Sequence, residues 1–358
     1  MRFNTTNITL LSLAGAVAVV GFGLLFTFER LPVETVQGGF RGTSMGRVDN
    51  PRTVAALVAA NQVPEAPEAA DPTGERAREI YENVPVLGHL SVEQFGRIMN
   101  VMTQWLYPGE GDAVGCNGCH VPGNFAAEDK YQKHVARRMI QMTMALNSEW
   151  TPHTGVVGVT CWTCHRGEAV PAYVWSELPR STGPNFLTGP GEQNRPSRAA
   201  GLSDLPLDPF TPFLWRDQEI RIAGNNQHPR PDSRQSIQQT EWTFSLMIHM
   251  STSLGVNCTF CHNSRAFAEW SESPPQRLNA WYGIRMVRDI NNTYIEPLRD
   301  QFPPNRLGPL GDTLKANCST CHQGVNQPMY GVPMINDYPE LMPAPVEQRA
   351  ALAGPRVQ

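Results

Sequence analysis

The eight cysteines of this chain fall into four pairs, and a histidine follows each pair at once: Cys116-Asn-Gly-Cys119-His120, Cys161-Trp-Thr-Cys164-His165, Cys258-Thr-Phe-Cys261-His262 and Cys318-Ser-Thr-Cys321-His322. Two thiols two residues apart can add to the two vinyl groups of a porphyrin, and the next residue can then turn its imidazole onto the iron. This is the spacing of c-type haem attachment. Zinc sites also use CxxC units but give no reason for four trailing histidines, and a disulfide framework predicts no such regularity. The pattern therefore assigns all eight Cys to the thioethers of four haem c groups, with His120, His165, His262 and His322 as iron ligands. Covalent haem assembly also calls for an extracytoplasmic compartment.

A six-coordinate haem needs a ligand on its second face, where Met raises the potential relative to His. Five histidines lie outside the motifs, His89, His134, His153, His228 and His249. Four bis-His haems would consume nearly all of them, so the methionines must be considered. Met247 lies eleven residues before Cys258, with Gly255 between them to end a helix. A helix can thus cross one face of a haem while the chain turns back to attach the other. Met99 and Met139 occupy comparable stretches ahead of the first and second motifs. Met102 is the neighbouring alternative to Met99, Met142 and Met144 to Met139, and Met250 and His249 to Met247. A lone Met at helical spacing is ordinarily core filler; a helical Met before three separate motifs argues for ligation. His134 and His228 read as surface or loop residues, and His89 as a satisfied residue at the start of a helix. Arg166, Arg277 and Arg285 are candidates to pair with haem propionates, although an isolated Arg is more often a surface ion pair of little energy.

The elements that must position these residues are mostly helical. Ser91-Val-Glu-Gln94 has the form of a capping box, with Leu90 ahead as a hydrophobic staple, and predicts a helix to about Trp105, before Pro108. Further helices are expected over about Glu128 to Asn147, Glu241 to Ser253 and Gln276 to Asn291. The first two motifs are 45 residues apart, the last two 60, and 97 separate the second from the third, which suggests a duplicated two-haem unit. The expected fold is mainly α with extensive irregular loops: two pseudo-symmetric two-haem halves plus one N-terminal transmembrane helix. The expected order is an anchor (1–30), an extended tether rich in Gly, Pro and Ala (31–80), a first two-haem segment (81–178), a linker (179–235), a second two-haem segment (236–332) and a Pro-rich tail that wraps the surface (333–358).

Ile8 to Phe28 is a run of 21 residues without a charge, about 30 Å as a helix and so the thickness of a bilayer core. Its small residues sit mid-run, which suits an uncleaved anchor better than a cleaved signal peptide. Arg2 is the only charge before it, which leaves the amino terminus cytoplasmic and everything after Arg30 across the membrane. No Cys precedes Cys116, so lipid attachment near the amino terminus has no acceptor. A formal charge of −4, with only three Lys, supplies no basic stripe for nucleic acid.

From about Gly39 onward the chain resembles the tetrahaem cytochrome subunit of purple bacterial photosynthetic reaction centres. The resemblance is carried by Gly39–Gly46 (GFRGTSMG), Ala136–Met139 (ARRM), Thr160–Gly167 (TCWTCHRG), Asn257–Asn263 (NCTFCHN), Gly283–Asp289 (GIRMVRD) and Cys321–Gly324 (CHQG). It implies Met/His ligation for three haems, through Met99, Met139 and Met247, and bis-His ligation for the fourth, through His153. Met102 stays open against Met99. Met286 is a rival for the fourth haem, because Ile284-Arg-Met286 echoes Arg137-Arg-Met139. Ligation by His153 makes the second and fourth haems neighbours, in line with the family's linear order of one, two, four, three. Many family members are lipoproteins, whereas this chain keeps a membrane helix instead.

The function implied is a membrane-anchored electron carrier on the periplasmic side of the photosynthetic membrane, performing no bond chemistry of its own. Electrons would come from a small cytochrome c or a high-potential iron–sulfur protein and pass to the oxidised pigment pair held by the reaction-centre membrane subunits. Whether a light-harvesting ring surrounds the complex is open. The rival functions are a tetrahaem quinol dehydrogenase, typically shorter and richer in His ligands, and a multihaem reductase, which needs an open iron position.

Overall fold

A computed structural model of the protein describes residues 5–28, 33–37, 46–109, 114–179, 205–220 and 237–343. Outside these lie His228, most of the Gly39–Gly46 stretch, much of the expected linker and the end of the tail. The described residues are mainly helical with long irregular connections. The α-helices are α1 (Thr5–Leu25), α2 (Pro51–Ala60), α3 (Ala77–Ile80), α4 (Val92–Leu106), α5 (Tyr131–Ser148), α6 (Thr151–Thr154), α7 (Cys161–His165), α8 (Ile237–Leu254), α9 (Gln276–Asp289) and α10 (Cys318–His322). One short antiparallel ribbon joins β1 (Glu34–Gln37) to β2 (Gly46–Asp49), with Glu34 opposite Asp49.

The cap predicted for α4 forms on both sides. Ser91 Oγ accepts from the Gln94 amide at 3.1 Å, and Gln94 Oε1 accepts from the Ser91 amide at 3.2 Å. Ile98, Val101, Met102 and Trp105 are then buried at helical spacing along one face. Helix α5 begins at Tyr131 rather than Glu128, because the Glu128 carboxylate is held instead by Arg137, at 2.7 and 2.8 Å, and by Asn83. Helix α9 runs on past Asp289 into a wider π-helical turn, Ile290–Ile295.

Two expectations need correction. The segment after the amino-terminal helix is not wholly extended, since Asn50 caps and Pro51 opens α2. That helix sets Leu57 against Gly324, and the Ala60 carbonyl at its end accepts from Arg166 at 2.9 Å. Nor does the tail merely wrap the surface. Met334, Tyr338 and Leu341 of the tail, with Met329 just ahead of it, lie inside the core that α4 forms, with the Tyr338 and Trp105 rings edge-to-face at 4.7 Å. Arg97 fastens the arrangement. It donates to both Glu340 oxygens, at 3.0 and 3.1 Å, and to the carbonyls of Pro67, Glu68 and Asp337. Burying Tyr338 and Leu341 stabilises by about 1.5–3 kcal/mol each, more than solvation of a short polar tail would.

The side chains of α1 from Thr9 onward are exposed. Among the described residues no helix is long and apolar enough to cross a membrane; the described side chains of α1, Thr9 to Leu25, span about 26 Å against the roughly 30 Å of a hydrocarbon core.

Two buried asparagines hold the approach to the second and fourth motifs. Asn147 Nδ2 donates to the Val159 carbonyl at 2.9 Å and its Oδ1 accepts from the Val159 amide at 2.7 Å. Asn291 repeats this on Ala316, at 3.0 and 2.8 Å. Asn147→Ala leaves the buried Val159 amide and carbonyl unpaired, and Asn291→Ala leaves the Ala316 amide unpaired while its carbonyl keeps the Trp175 Nε1 donor at 2.9 Å; each is expected to cost about 2–4 kcal/mol in denaturant unfolding, and an effect below ~0.5 kcal/mol would refute the latch.

Candidate functional site

Each motif is one tight turn, so residues three and four apart share a side and both sulfurs and the imidazole face the same way. In the first and third motifs the turn is 3-10, over Gly115–Gly118 and Cys258–Phe260. The His120 amide donates to the Cys116 carbonyl, and that of His262 to Cys258, both at 2.9 Å. The second and fourth motifs are the helical turns α7 and α10. Each starts from a backbone amide given to a threonine hydroxyl, Thr160 to Thr163 at 3.0 Å and Asn317 to Thr320 at 2.9 Å. Each ends at a left-handed residue, Arg166 or Gln323.

All four motif imidazoles are oriented alike. Nδ1 of His120 lies 3.0 Å from the Phe125 carbonyl, that of His165 2.8 Å from Glu168, that of His262 2.9 Å from Phe267 and that of His322 3.1 Å from Val325. A carbonyl can only accept, so Nδ1 carries the proton and the Nε2 lone pair is left for a metal. Burial lowers the basicity of His120, His165 and His262, and with the nearby His153 it brings His322 down to about 4. The imidazoles are therefore neutral at physiological pH, as ligation requires.

The supports repeat as the turns do. Rings of Phe125 and Phe267 lie against His120 and His262, at 5.0 and 4.4 Å between centroids. Lys133 Nζ donates to the carbonyls of Phe125, Ala126 and Ala127, each at 2.9 Å, and Arg277 does the same for Phe267, Ala268 and Glu269 at 3.1–3.4 Å. The Gly167 amide donates to the Trp105 carbonyl at 2.9 Å, and that of Gly324 to Ser253 at 2.8 Å. These two carbonyls each lie six residues beyond a methionine, Met99 on α4 and Met247 on α8. The two helices therefore present Met99 and Met247, and likewise Met102 and Met250, at matching places.

Met99, Met139 and Met247 are all part-exposed, whereas Met102 and Met286 are buried. Met286 does not match Met139. The paired asparagines and the Lys133/Arg277 pair both set it opposite Met142, three residues from where the local echo puts it, and it packs with Leu146 and Ile290. His249, an alternative to Met247, is buried against the Phe210 ring, with Nε2 3.1 Å from Ser253 Oγ. His153 stands on α6 with its Nδ1 3.0 Å from both the carbonyl and Oδ1 of Asn279 on α9. Its ring centre is 6.1 Å from that of His322, close to the separation that one metal ion bonded at about 2 Å to each ring would give. Cys164 Sγ and Cys321 Sγ lie 2.9 Å apart, so the second and fourth motifs sit side by side.

Residues 29–342 match the model of the photosynthetic reaction centre cytochrome C subunit family. The chain belongs to this family. Relatives named photosynthetic reaction center cytochrome c subunit include those of Rubrivivax gelatinosus, 48% identical over 94% of this chain and 90% of the relative, and of Thermochromatium tepidum, 49% identical over 95% and 82%. That of Roseobacter denitrificans is 40% identical over 91% and 89%. The chain is thus an electron-transfer subunit with covalently bound haem c, associated with a membrane complex, and the quinol dehydrogenase and reductase readings are not favoured.

The residues fit that cofactor. Burial pushes the Cys119 and Cys261 thiols up to about 11 and those of Cys161 and Cys318 up to about 12, so these are interior sulfurs rather than reactive surface thiolates. Among the described residues, Arg166 Nε is buried beside the second motif without a hydrogen-bond partner, where a carboxylate would satisfy it. The two terminal nitrogens of Arg166 donate to the carbonyls of Ala60 and Cys321, and the other two arginines are engaged as well. Arg277 serves the turn carbonyls and lies over Trp270, and Arg285 lies over Trp281 at 4.5 Å. Sequence reasoning missed the carbonyl acceptors, the Asn latches and Asn279. The latches did leave a signal, since Lys133–Asn147 and Arg277–Asn291 are both fourteen residues apart.

Proposed function

We propose that the chain holds four haem c groups in two duplicated two-haem segments, 81–178 and 236–332. It takes electrons singly from a small cytochrome c or a high-potential iron–sulfur protein and delivers them to the photo-oxidised pigment pair of a reaction centre. The reaction-centre membrane subunits are its direct partners. Bound haem supplies a one-electron iron couple; the chain attaches it, ligates it and keeps water away. The attaching residues are Cys116 with Cys119, Cys161 with Cys164, Cys258 with Cys261, and Cys318 with Cys321. The ligand pairs are His120 with Met99, His165 with Met139, His262 with Met247, and His322 with His153. No bond chemistry is asked of the chain.

One arrangement carries this reading: the shared Nδ1-to-carbonyl orientation of the four motif imidazoles. The touching second and fourth motifs support the order one, two, four, three. In this reading the charge-free run from Ile8 to Phe28 is the anchor, holding the remainder on the periplasmic face of the photosynthetic membrane. Flash excitation of native membranes, with a redox titration of the same haems, tests the proposal. Rapid oxidation after the flash and sulfur–iron absorption from three haems are expected. Four low-potential haems without that absorption would overturn the ligand set, and no flash response would overturn the role.

The neighbouring methionines separate cleanly. Met99→Ala is expected to remove one sulfur ligand, seen as a loss of sulfur–iron absorption. Met102 is 8% exposed beside Ile98 and Trp105, so Met102→Ala is expected to cost about 2–5 kcal/mol of stability with ligation intact.

A further inference from the structure

We infer that Gly283 determines that the fourth haem takes a histidine rather than a methionine as its distal ligand. This rests on the reading of His153 as that ligand. Helices α5 and α9 are held at both ends by equivalent contacts. Lys133 and Arg277 cap the turn after the preceding motif, and Asn147 and Asn291 latch the approach to the following one. Both correspondences give one register, in which Gly283 occupies the place of Met139 and Asn279 the place of Val135.

The sulfur ligand of the first half thus has no counterpart in the second, and the vacated space is filled. A Cβ on Gly283 would lie 2.6 Å from His153 Cε1, 3.0 Å from Nδ1 and 3.2 Å from Nε2. A side chain at 283 cannot be added without displacing that ring. One turn earlier on the same face, Asn279 receives the Nδ1 proton on its carbonyl and Oδ1, both at 3.0 Å. A valine there, as in the first half, would offer no side-chain acceptor. Glycine weakens a helix interior, and at this position the cost secures a seat for an imidazole from the other half of the chain. Gly283 and Asn279 are positioning residues: they act through His153.

Ligand exchange in the haem-loaded full chain tests this, with the other three haems as an internal spectral standard. His153→Ala alone should leave one haem high-spin and open to carbon monoxide. Adding Gly283→Met should return that haem to low spin, raise the sulfur–iron absorption by about a third and shift its potential upward. A double variant that stays high-spin and binds carbon monoxide as His153→Ala does would overturn the inference while leaving His153 as the ligand. An unaltered spectrum in His153→Ala would overturn both. A second measurement uses added imidazole, which should restore low spin in His153→Ala and bind at least about tenfold more weakly once Gly283→Ala removes the space for it. Equal imidazole affinity in the two would overturn the role given to Gly283.

Discussion

Substituting His for Met247, the ligand proposed for the third haem, is expected to lower one midpoint potential by roughly 100–300 mV, since axial ligation spans about 0.8 V across haem proteins. It should also remove about a third of the sulfur–iron absorption, on the proposed set of three methionine ligands. Each 100 mV is about 2.3 kcal/mol for one electron, enough to turn a downhill delivery into an uphill one. Met247 suits the experiment because its helix ends in a carbonyl that holds Gly324 at 2.8 Å. The backbone is thereby fixed and the side chain can be exchanged with little rearrangement. Met250→His, one turn further along, is the control and should leave all four potentials in place. Equal shifts from both variants would mean that position on α8 does not select the ligand.

The second large effect is on stability. Lys315 is fully buried three residues before Cys318, with Nζ 2.6 Å from Asp312 Oδ2 and 3.2 Å from the Thr313 carbonyl. Its ammonium also lies over Trp215 at 4.3 Å and Trp175 at 5.3 Å. The same Asp312 oxygen accepts from the Glu177 amide at 2.9 Å, and the Lys315 and Trp175 backbones pair in both directions. Lys315→Met strands a buried carboxylate and is expected to cost about 3–5 kcal/mol in thermal or urea unfolding. Neutralising the partner as well, with Asp312→Asn, should recover a large part of that loss. A single variant as stable as the parent would show that the pair holds nothing, and a double variant no better than the single would locate the effect in packing on the tryptophans.

What was legible beforehand was whatever depends on near neighbours in sequence. The CxxCH units are self-contained turns, and the capping box at Ser91 needs only Gln94, so both could be read directly. The four long helices after α2 were visible from periodicity and breakers, with ends displaced where a side chain found another use, as Glu128 did with Arg137 and Asn83. Long-range choices were not legible. Tyr338 reads as one aromatic in a Pro-rich tail until it meets Trp105. Arg277 reads as a propionate partner until the turn carbonyls claim it. The Arg-Met echo that likened Met286 to Met139 is three residues out of register, because the alignment of the two helices is set by asparagines reaching to Val159 and Ala316, not by local resemblance. In each case the deciding contact joins residues whose sequence gives no sign of the other.

The Arg97–Glu340 pair joins residues 243 apart, and this bears on the order of assembly. A chain synthesised amino terminus first presents Trp105 long before Tyr338. The core that α4 forms therefore cannot close until nearly all of the polypeptide has emerged, and the closing contacts are slow, non-local ones. Throughout that interval Cys161, buried in the finished fold, stays accessible. The late-arriving carboxyl-terminal segment acts as a timer: the interior stays open until Tyr338 and Leu341 arrive to close it.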